Sequence, residues 1–319
     1  MSIALIFPGQ GSQQVGMGRA LSDSFAAARA VFEEVDAALG ESLSATIFEG
    51  PEDKLTLTAN AQPALMAVSL AAIRVLEAEA GLDVARHAAF VAGHSLGEYS
   101  ALAAAGALSI SDAARLLRIR GEAMQKAVPV GEGAMAALLG LDLDAARAVA
   151  AEAAEGDVCA AANDNAPGQV VISGARAAVE RAIALAKPRG AKRAVLLPVS
   201  APFHCALMRP AAEAMREALA GVKLQAPKAP LVANVTASPL TDPEDIRTRL
   251  VEQVTGAVRW RESMGFMAGA GVTHFVEVGA GKVLAGLVKR NAEGATGESV
   301  GTPEDVARVV AAGAFAGDA

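Results

Sequence analysis

Residues 88–97, AAFVAGHSLG, form an apolar run that ends in a serine placed between two glycines. The helix-favouring segment EYSALAAAGAL follows at once. Glycine has no Cβ, so a glycine on either side of the serine allows a strand to turn sharply into a helix. Such a turn presents the serine hydroxyl above the sheet, at the N-terminus of the helix, as in a nucleophile elbow. The alternative interpretation is a helix capped by Ser95 that happens to lie near glycines.

Segments typical of strands and helices alternate on both sides of this turn. An apolar run at 3–7 leads into the loop PGQGSQQVGMG, apolar residues recur with helical spacing over 21–39, and a further helix is expected over about 62–80. This alternation predicts an α/β domain with a mostly parallel sheet. The elbow makes the predicted domain α/β-hydrolase-like.

The middle of the chain follows a different pattern. Residues 129–197 read strand, helix, strand, strand, helix, strand, which is the order of a ferredoxin-like βαββαβ unit. We therefore predict a large discontinuous catalytic domain, residues 1–128 and 198–319, interrupted by a small ferredoxin-like subdomain, residues 129–197. A cleft between two such units is a common ligand site. The alanine-rich tail after about Glu293 is expected to be poorly ordered.

Composition limits the classes of function. The 319 residues are 53% hydrophobic but only 3% aromatic, so the core is built mainly from aliphatic side chains. A net charge of −7 argues against general nucleic-acid binding, which needs a basic surface. Two distant cysteines, Cys159 and Cys205, argue against a disulfide framework. The sequence shows neither a signal peptide nor a long charge-free apolar span, so a cytoplasmic location is expected.

A nucleophilic serine needs a neighbouring base, and the chain has four histidines. We select His204, in the segment VSAPFHCALM, because loops at strand ends are where catalytic groups gather in open α/β sheets. The alternative is a structural role for this histidine. No acidic residue stands out as its orienting partner, so a backbone carbonyl remains open for that role.

Two further features suggest acyl chemistry at this serine. An oxyanion hole needs two backbone N–H groups; Leu96 supplies one, and the glycine-rich loop around Gln10 is the candidate for the second. In the helix predicted over 111–125, Arg120 falls on the apolar face. A guanidinium directed inward either pairs with an internal carboxylate or meets an anionic group of a substrate.

Eight segments carry a family resemblance. They are FPGQGSQ, GHSLGEYSAL, RGEAMQ, NDNAPGQVVISG, VSAPFHCALM, ANVTA, EQVTGAVRW and EVGAGKVLAGLVKR, in that order from the first strand to about Arg290. Together they resemble the malonyl-CoA:acyl-carrier-protein transacylases of type II fatty-acid synthesis and the acyltransferase domains of polyketide synthases. Each segment alone is moderately specific, and their ordered combination is highly specific.

The resemblance implies a ping-pong reaction. A malonyl group would pass from malonyl-CoA to the phosphopantetheine thiol of acyl carrier protein through an ester of Ser95, with His204 as the base and with no metal or other cofactor. Arg120 would bind the malonyl carboxylate, and the amides of Gln10 and Leu96 would hold the oxyanion.

The resemblance also implies supporting residues. Gln253 would orient His204 through its backbone carbonyl. His94 and Asn165 match positions around the site. Phe203 resembles a residue that crowds an α-methyl group, which implies malonyl over methylmalonyl.

Two loop residues depart from the family's pattern, since Ala257 and Ala280 stand where a proline is common. Neither is a proposed catalytic group, so both are interpreted as loop variation. An acidic carrier protein would meet a local basic surface. The basic candidates are residues 187–193, Lys282, Lys289 and Arg290.

Two rival functions remain at this point. A serine esterase or thioesterase would share the serine and its base, and only Arg120 separates the two readings within the sequence. A non-catalytic carrier-protein-binding module would keep the fold without needing Ser95. The expected protein is a monomer that binds neither nucleic acid nor a membrane.

Overall fold

The computed structural model describes residues 2–315. The strands are β1 (Ile3–Phe7), β2 (Ala88–Gly93), β3 (Gly133–Leu139), β4 (Cys159–Ala166), β5 (Gln169–Ala175), β6 (Arg193–Leu196), β7 (Leu231–Val232), β8 (Pro239–Leu240), β9 (His274–Val278) and β10 (Thr296–Val300). The helices are α1 (Arg19–Ser24), α2 (Ala26–Leu39), α3 (Leu43–Glu49), α4 (Glu52–Thr56), α5 (Thr58–Ala80), α6 (Val84–His87), α7 (Gly97–Ala104), α8 (Ile110–Ala127), α9 (Leu143–Ala154), α10 (Arg176–Ala186), α11 (Arg209–Ala220), α12 (Pro243–Gln253), α13 (Trp260–Gly269), α14 (Val283–Asn291) and α15 (Pro303–Ala311).

A six-stranded sheet forms the centre of the larger unit, in the order β10-β9-β1-β2-β7-β8. Neighbouring strands are parallel except β7 and β8, which form an antiparallel pair. Strand β1, IALIF, is buried along its whole length, as expected for a parallel strand covered on both faces. The α/β class with a mainly parallel sheet is therefore confirmed.

Helix α5 is the central helix of this unit and packs against α2 and α8. It begins at Thr58, earlier than the expected start near 62, and Pro63 lies inside it. By length and apolar composition alone, α5 could span a membrane. However, 89% of its apolar 18-residue stretch is buried within the protein, which is typical of a core helix.

A separate antiparallel sheet forms the smaller unit, in the order β4-β5-β3-β6. Helices α9 and α10 pack on it and enclose a hydrophobic core distinct from that of the larger unit. The elements run strand, helix, strand, strand, helix, strand along the chain, in the predicted order.

Strand β4 joins the two units. The backbone of Asp164 donates to Val258 O at 2.9 Å, and Val258 N donates to Ala162 O at 2.8 Å. Beside this bridge the buried Asp164 carboxylate pairs with Arg261 at 2.8 Å. The C-terminal part of β4 is thereby fixed close to the carboxyl end of β2.

The expectation of a poorly ordered tail is wrong for residues 294–315. Strand β10 extends the edge of the large sheet by pairing with β9, and α15 packs against α5. Val306 and Val309 are the buried side chains of α15, and Thr302 forms a capping box with Asp305. These two valines lie on one face of α15, and their burial holds the helix against the protein although many of the surrounding residues are small alanines. Residues 316–319 lie outside the described residues.

Candidate active site

Ser95 lies in the tight turn between β2 and α7. Its φ of 53° is in the left-handed region, which is uncommon for a residue other than glycine. A Cβ on Gly93 would lie 1.9 Å from Gly97 C, and a Cβ on Gly97 would lie 2.4 Å from Phe7 O. Only glycine fits at both positions, so the pattern G-x-S-x-G follows from the close approach of β2, α7 and the end of β1.

Asn234 holds this turn from the neighbouring β7–β8 segment. Its side-chain Oδ1 accepts from Ser95 N at 2.8 Å, and its Nδ2 donates to Gly93 O at 2.7 Å. One buried amide thereby satisfies two backbone groups of the strained turn. The segment ANVTA was noted in the sequence, but no role was predicted for its asparagine.

Ser95 and His204 form a hydrogen-bonded pair, with 2.7 Å between Oγ and Nε2. The other ring nitrogen, Nδ1, lies 2.9 Å from Gln253 O and 3.1 Å from Gly256 O. Carbonyl oxygens only accept, so Nδ1 carries the proton and Nε2 is left to accept from the serine hydroxyl. The carbonyl of Gln253 thus occupies the place that an aspartate takes in a triad.

Burial controls the charge of His204, whose side chain is 4% exposed. Burial, together with the positive charge of Arg120, lowers the pKa of His204 to about 3. The imidazole is therefore neutral at physiological pH and able to take a proton. Its φ of 60° is again in the left-handed region, so both members of the pair have a backbone that the surrounding fold must hold.

Arg120 reaches the serine from helix α8 and is only 1% exposed. Its Nη1 donates to Gln62 Oε1 at 2.7 Å, and its Nη2 donates to Gln253 Oε1 at 2.7 Å and to Ser95 Oγ at 3.1 Å. Burial lowers the pKa of Arg120, but a guanidinium remains charged near neutral pH. Within residues 2–315 no carboxylate forms a direct ion pair with it; its partners are neutral oxygens.

The two predicted oxyanion donors have free N–H groups. Among the described residues neither Gln10 N nor Leu96 N donates a hydrogen bond. Leu96 directly precedes α7, so its amide belongs to the positive end of that helix. The Gln10 side chain is bound elsewhere, since its Nε2 donates to Thr58 Oγ1 at 3.3 Å.

His94 and Asn165 lie together beside the serine. His94 Nε2 is 2.8 Å from Asn165 Oδ1, and the imidazole packs against the Trp260 ring at 5.6 Å between centroids. Burial lowers the pKa of His94, so this ring is also neutral. His94 is hydrogen-bonded to Asn165 of β4, whereas the Ser95 hydroxyl is hydrogen-bonded to His204.

A cavity of about 520 Å³ collects these groups. The predicted residues on its wall are Gln10, His94, Ser95, Leu96, Arg120, Phe203 and His204. Asn165 and Gln253 lie behind the wall, in contact with His94 and Arg120 respectively. All nine predicted site residues are therefore brought into one region, seven on the cavity wall and two behind it.

No role was predicted from the sequence for Gln62, Glu98 and Asn234, although they support the predicted residues. Each is buried and polar, and each contacts a predicted residue or another of the three. Gln62 could have been noticed as a polar residue within the apolar helix α5. Nothing in the local sequence indicates which partner each one meets.

The ionisation of His204 gives a direct prediction. Its pKa is lowered, so we expect the imidazole to stay neutral as the pH falls from 8 to 5, well below the ordinary histidine value of about 6.5. Nitrogen NMR of labelled protein, with His204→Asn for assignment, measures this. A titration centred near the ordinary histidine value would contradict the buried, Arg120-facing environment described here.

Comparison with known proteins places this geometry in a family. The acyl transferase domain family matches residues 4–314. A malonyl CoA-acyl carrier protein transacylase of Bacillus subtilis is 50% identical over 289 residues, 90% of each chain. The structure of an acyl-carrier-protein-S-malonyltransferase from Bartonella henselae is 58% identical and superposes with a TM-score of 0.95, over 98% of this chain and 100% of that one. A malonyl-transacylase solved in complex with a type II polyketide-synthase acyl-carrier protein is 41% identical, with a TM-score of 0.94 and coverage of 98% and 100%. This chain belongs to the acyl transferase domain family.

Proposed function

We propose that this protein transfers the malonyl group of malonyl-CoA to the phosphopantetheine thiol of acyl carrier protein, through a malonyl ester of Ser95. The observation that carries the proposal is the pair of contacts made by Ser95 Oγ, 2.7 Å to His204 Nε2 and 3.1 Å to Arg120 Nη2. A base and a cation suited to a carboxylate thus meet at one nucleophile.

In the first half-reaction Ser95 Oγ attacks the thioester carbonyl while His204 Nε2 takes the hydroxyl proton. The new O⁻ is stabilised by the amides of Gln10 and Leu96. When the tetrahedral intermediate collapses, the C–S bond breaks, and the imidazolium returns its proton to the departing CoA thiolate. The products are the malonyl ester of Ser95 and free CoA.

The second half-reaction repeats these steps with the carrier protein's thiol. His204 takes the thiol proton, the thiolate attacks the ester carbonyl, and the same two amides hold the oxyanion. The C–O bond then breaks, and His204 returns the proton to Ser95 Oγ. Every step uses side chains and backbone groups of this chain, so the proposal needs no metal or organic cofactor.

Arg120 is the proposed clamp for the far carboxylate of the malonyl group. Its two amide partners, Gln62 and Gln253, leave the cation without a neutralising partner in direct contact. Among the described residues its Nε has no acceptor, and Nε and Nη2 lie on one edge of the guanidinium. A carboxylate that replaces the 3.1 Å contact with Ser95 Oγ would engage this edge with two charge-assisted hydrogen bonds.

Phe203 is the proposed discriminator between acyl groups. It lies next to His204, is 9% exposed and forms part of the cavity wall with Met124 and Met135. A methyl branch at the α-carbon would have to fit against this ring, and overpacking of that kind is unfavourable. We therefore propose malonyl over methylmalonyl, which a comparison of the two acylation rates tests.

The proposed docking face for the acidic carrier protein is the basic surface formed by residues 187–193, Lys282, Lys289 and Arg290. Hydrogen bonds connect Arg290 with the 187–193 segment through two loops. Arg290 donates to Pro167 O at 2.7 Å, and the next residue, Gly168, accepts at its O from Gly140 N at 2.8 Å. Leu139 O, beside Gly140, accepts from Lys192 N at 2.7 Å.

A cleft of about 200 Å³ supports this face as the side of approach. It reaches from His94 and Gln10 to Val283, Leu287 and Gln169, and Arg290 contacts Gln169. Replacement of Lys289 and Arg290 by glutamate, assayed with carrier protein and separately with malonyl-CoA, tests the surface. Docking there predicts a loss confined to the carrier-protein step.

The finer description of the fold is also a proposal. The larger unit, residues 1–128 and 198–319, is α/β-hydrolase-like, which the elbow after a parallel strand supports. Residues 129–197 form a ferredoxin-like subdomain, which the order β4-β5-β3-β6 supports. Separate expression of residues 129–197 would test whether they fold as a unit.

We further propose that the protein acts in the cytoplasm as a monomer, independently of nucleic acid and membranes. The net charge of −7 and the burial of α5, the one helix among residues 2–315 that is long and apolar enough to span a membrane, support this. Sedimentation of the purified chain tests the oligomeric state.

The first test of the function is the mass of the intact protein after exposure to malonyl-CoA. We expect a malonyl adduct on wild type that disappears when holo carrier protein is added, and no adduct on Ser95→Ala. Malonate released without carrier protein would instead indicate a thioesterase. Full transfer by Ser95→Ala would indicate that the serine has no catalytic role.

The second test separates the acyl groups. Arg120→Ala is expected to lower malonyl transfer by about a hundredfold to a thousandfold, because a desolvated carboxylate loses its charged partner. Acetyl transfer should be retained or improved. The matched control Arg115→Ala, from the exposed side of α8, should leave both rates unchanged. Equal losses for malonyl and acetyl in Arg120→Ala would contradict the clamp.

A further inference from the structure

Glu98 is a buried carboxylate that the proposed reaction does not use. It lies in the first turn of α7 and is 1% exposed. Within residues 2–315 no lysine, arginine or histidine forms an ion pair with it. Its two oxygens accept instead from Asn234 N and from Gln253 Nε2. A charge removed from water without a direct counter-ion is costly, so its place beside the nucleophile needs a reason.

The charge that balances Glu98 is on Arg120, one amide away. Gln253 Oε1 accepts from Arg120 Nη2 at 2.7 Å, while Gln253 Nε2 donates to Glu98 and, at 2.9 Å, to Ser95 O. Arginine can only donate and a carboxylate can only accept. The amide of Gln253 therefore has one orientation that satisfies both ends, and Glu98 and Arg120 determine it together.

The same carboxylate reaches the other side of the site. Asn234, whose backbone N–H donates to Glu98, holds Ser95 N through its side chain. Gln253, whose side chain donates to Glu98, holds His204 Nδ1 through its backbone carbonyl. Glu98 is thus the common acceptor of the two residues that support the nucleophile, the base and the guanidinium.

Both hydrogen bonds of the Glu98 carboxyl group are donated to it by N–H groups, which favours its ionised form. Burial raises the pKa of this carboxyl group to about 8, although the hydrogen bonds from Asn234 and Gln253 and the charge of Arg120 oppose the rise. Both partners of Glu98 are donors, so an amide in place of the carboxyl group would set one N–H group against another.

We propose that Glu98 is a positioning residue for acyl-group selectivity: its carboxylate orients the Gln253 amide and so places the Arg120 guanidinium where the malonyl carboxylate binds. This inference rests on the proposed malonyl transfer. It differs from a purely structural role, because the effect passes through Arg120 and therefore acts on malonyl more than on acetyl.

The test uses the full chain as wild type, Glu98→Gln, Arg120→Ala and the double variant. Acylation of Ser95 by malonyl-CoA and by acetyl-CoA is followed by intact mass in single turnovers, and thermal melting is recorded. The matched control is Glu277→Gln, another fully buried glutamate, which accepts from Ala285 N at 2.8 Å in the β9–α14 region. It should leave the malonyl-to-acetyl ratio unchanged whatever it does to stability.

Glu98→Gln keeps the shape of the side chain and removes one acceptor. We expect malonyl acylation to fall by about tenfold to a hundredfold, the range for loss of a hydrogen bond to a charged group. Acetyl acylation should fall much less. In the Arg120→Ala background the same change should have no further effect on malonyl acylation, because the two residues act in one chain of contacts.

Equal losses for malonyl and acetyl in Glu98→Gln would overturn the inference, as would effects of the two substitutions that multiply in the double variant. Should Glu98→Gln not fold, Glu98→Asp is measured in the same way. It withdraws the carboxylate by one methylene, so a lower malonyl-to-acetyl ratio supports the inference and an unchanged ratio overturns it. If wild type forms no malonyl ester at all, the proposed function itself fails.

Discussion

The close approach of three backbone segments at Ser95 is the constraint on which the rest of the site depends. Strand β2 ends at Gly93, helix α7 begins at Gly97, and the end of β1 lies against Gly97 with no room for a Cβ. The serine is held there with a φ of 53°, which places its hydroxyl at the N-terminus of a helix and its backbone N–H on Asn234. A different backbone at this residue would separate the hydroxyl from both of its partners.

A buried cation among neutral partners is the second feature that gives the site its chemistry. Arg120 is fixed by the amide oxygens of Gln62 and Gln253, so its charge is oriented but not cancelled by direct contact. In a site screened from water such a charge interacts strongly with an incoming anion. The pKa of His204 is lowered mainly by burial and also by this positive charge, so the imidazole stays neutral. We propose that Arg120 thereby serves both to bind the substrate carboxylate and to help keep His204 neutral.

Much of the fold and the site could be predicted from the sequence, and the failures have physical causes. The elbow depends on residues adjacent in the chain, so GHSLG was sufficient to locate it. The inward position of Arg120 followed from helical periodicity, but its partners did not. The sequence left open an internal carboxylate, whereas the structure supplies amides from α5 and α12. The role of Gln253 came from family resemblance alone.

The residues that were missed are those whose partners lie far away in the chain. Glu98 meets Asn234 and Gln253, which no local pattern connects to it. The tail after Glu293 was misjudged for a related reason: β10 is stabilised by the edge of β9, a partner that composition does not reveal. In each case the interaction is made by the tertiary fold.

The crystal structure of the malonylated protein tests the central claim most directly. The account predicts an ester on Ser95 whose carbonyl oxygen lies between the amides of Gln10 and Leu96, with the terminal carboxylate within hydrogen-bond distance of Arg120. A malonyl group whose carboxylate is turned towards solvent and makes no hydrogen bond with Arg120 would contradict it.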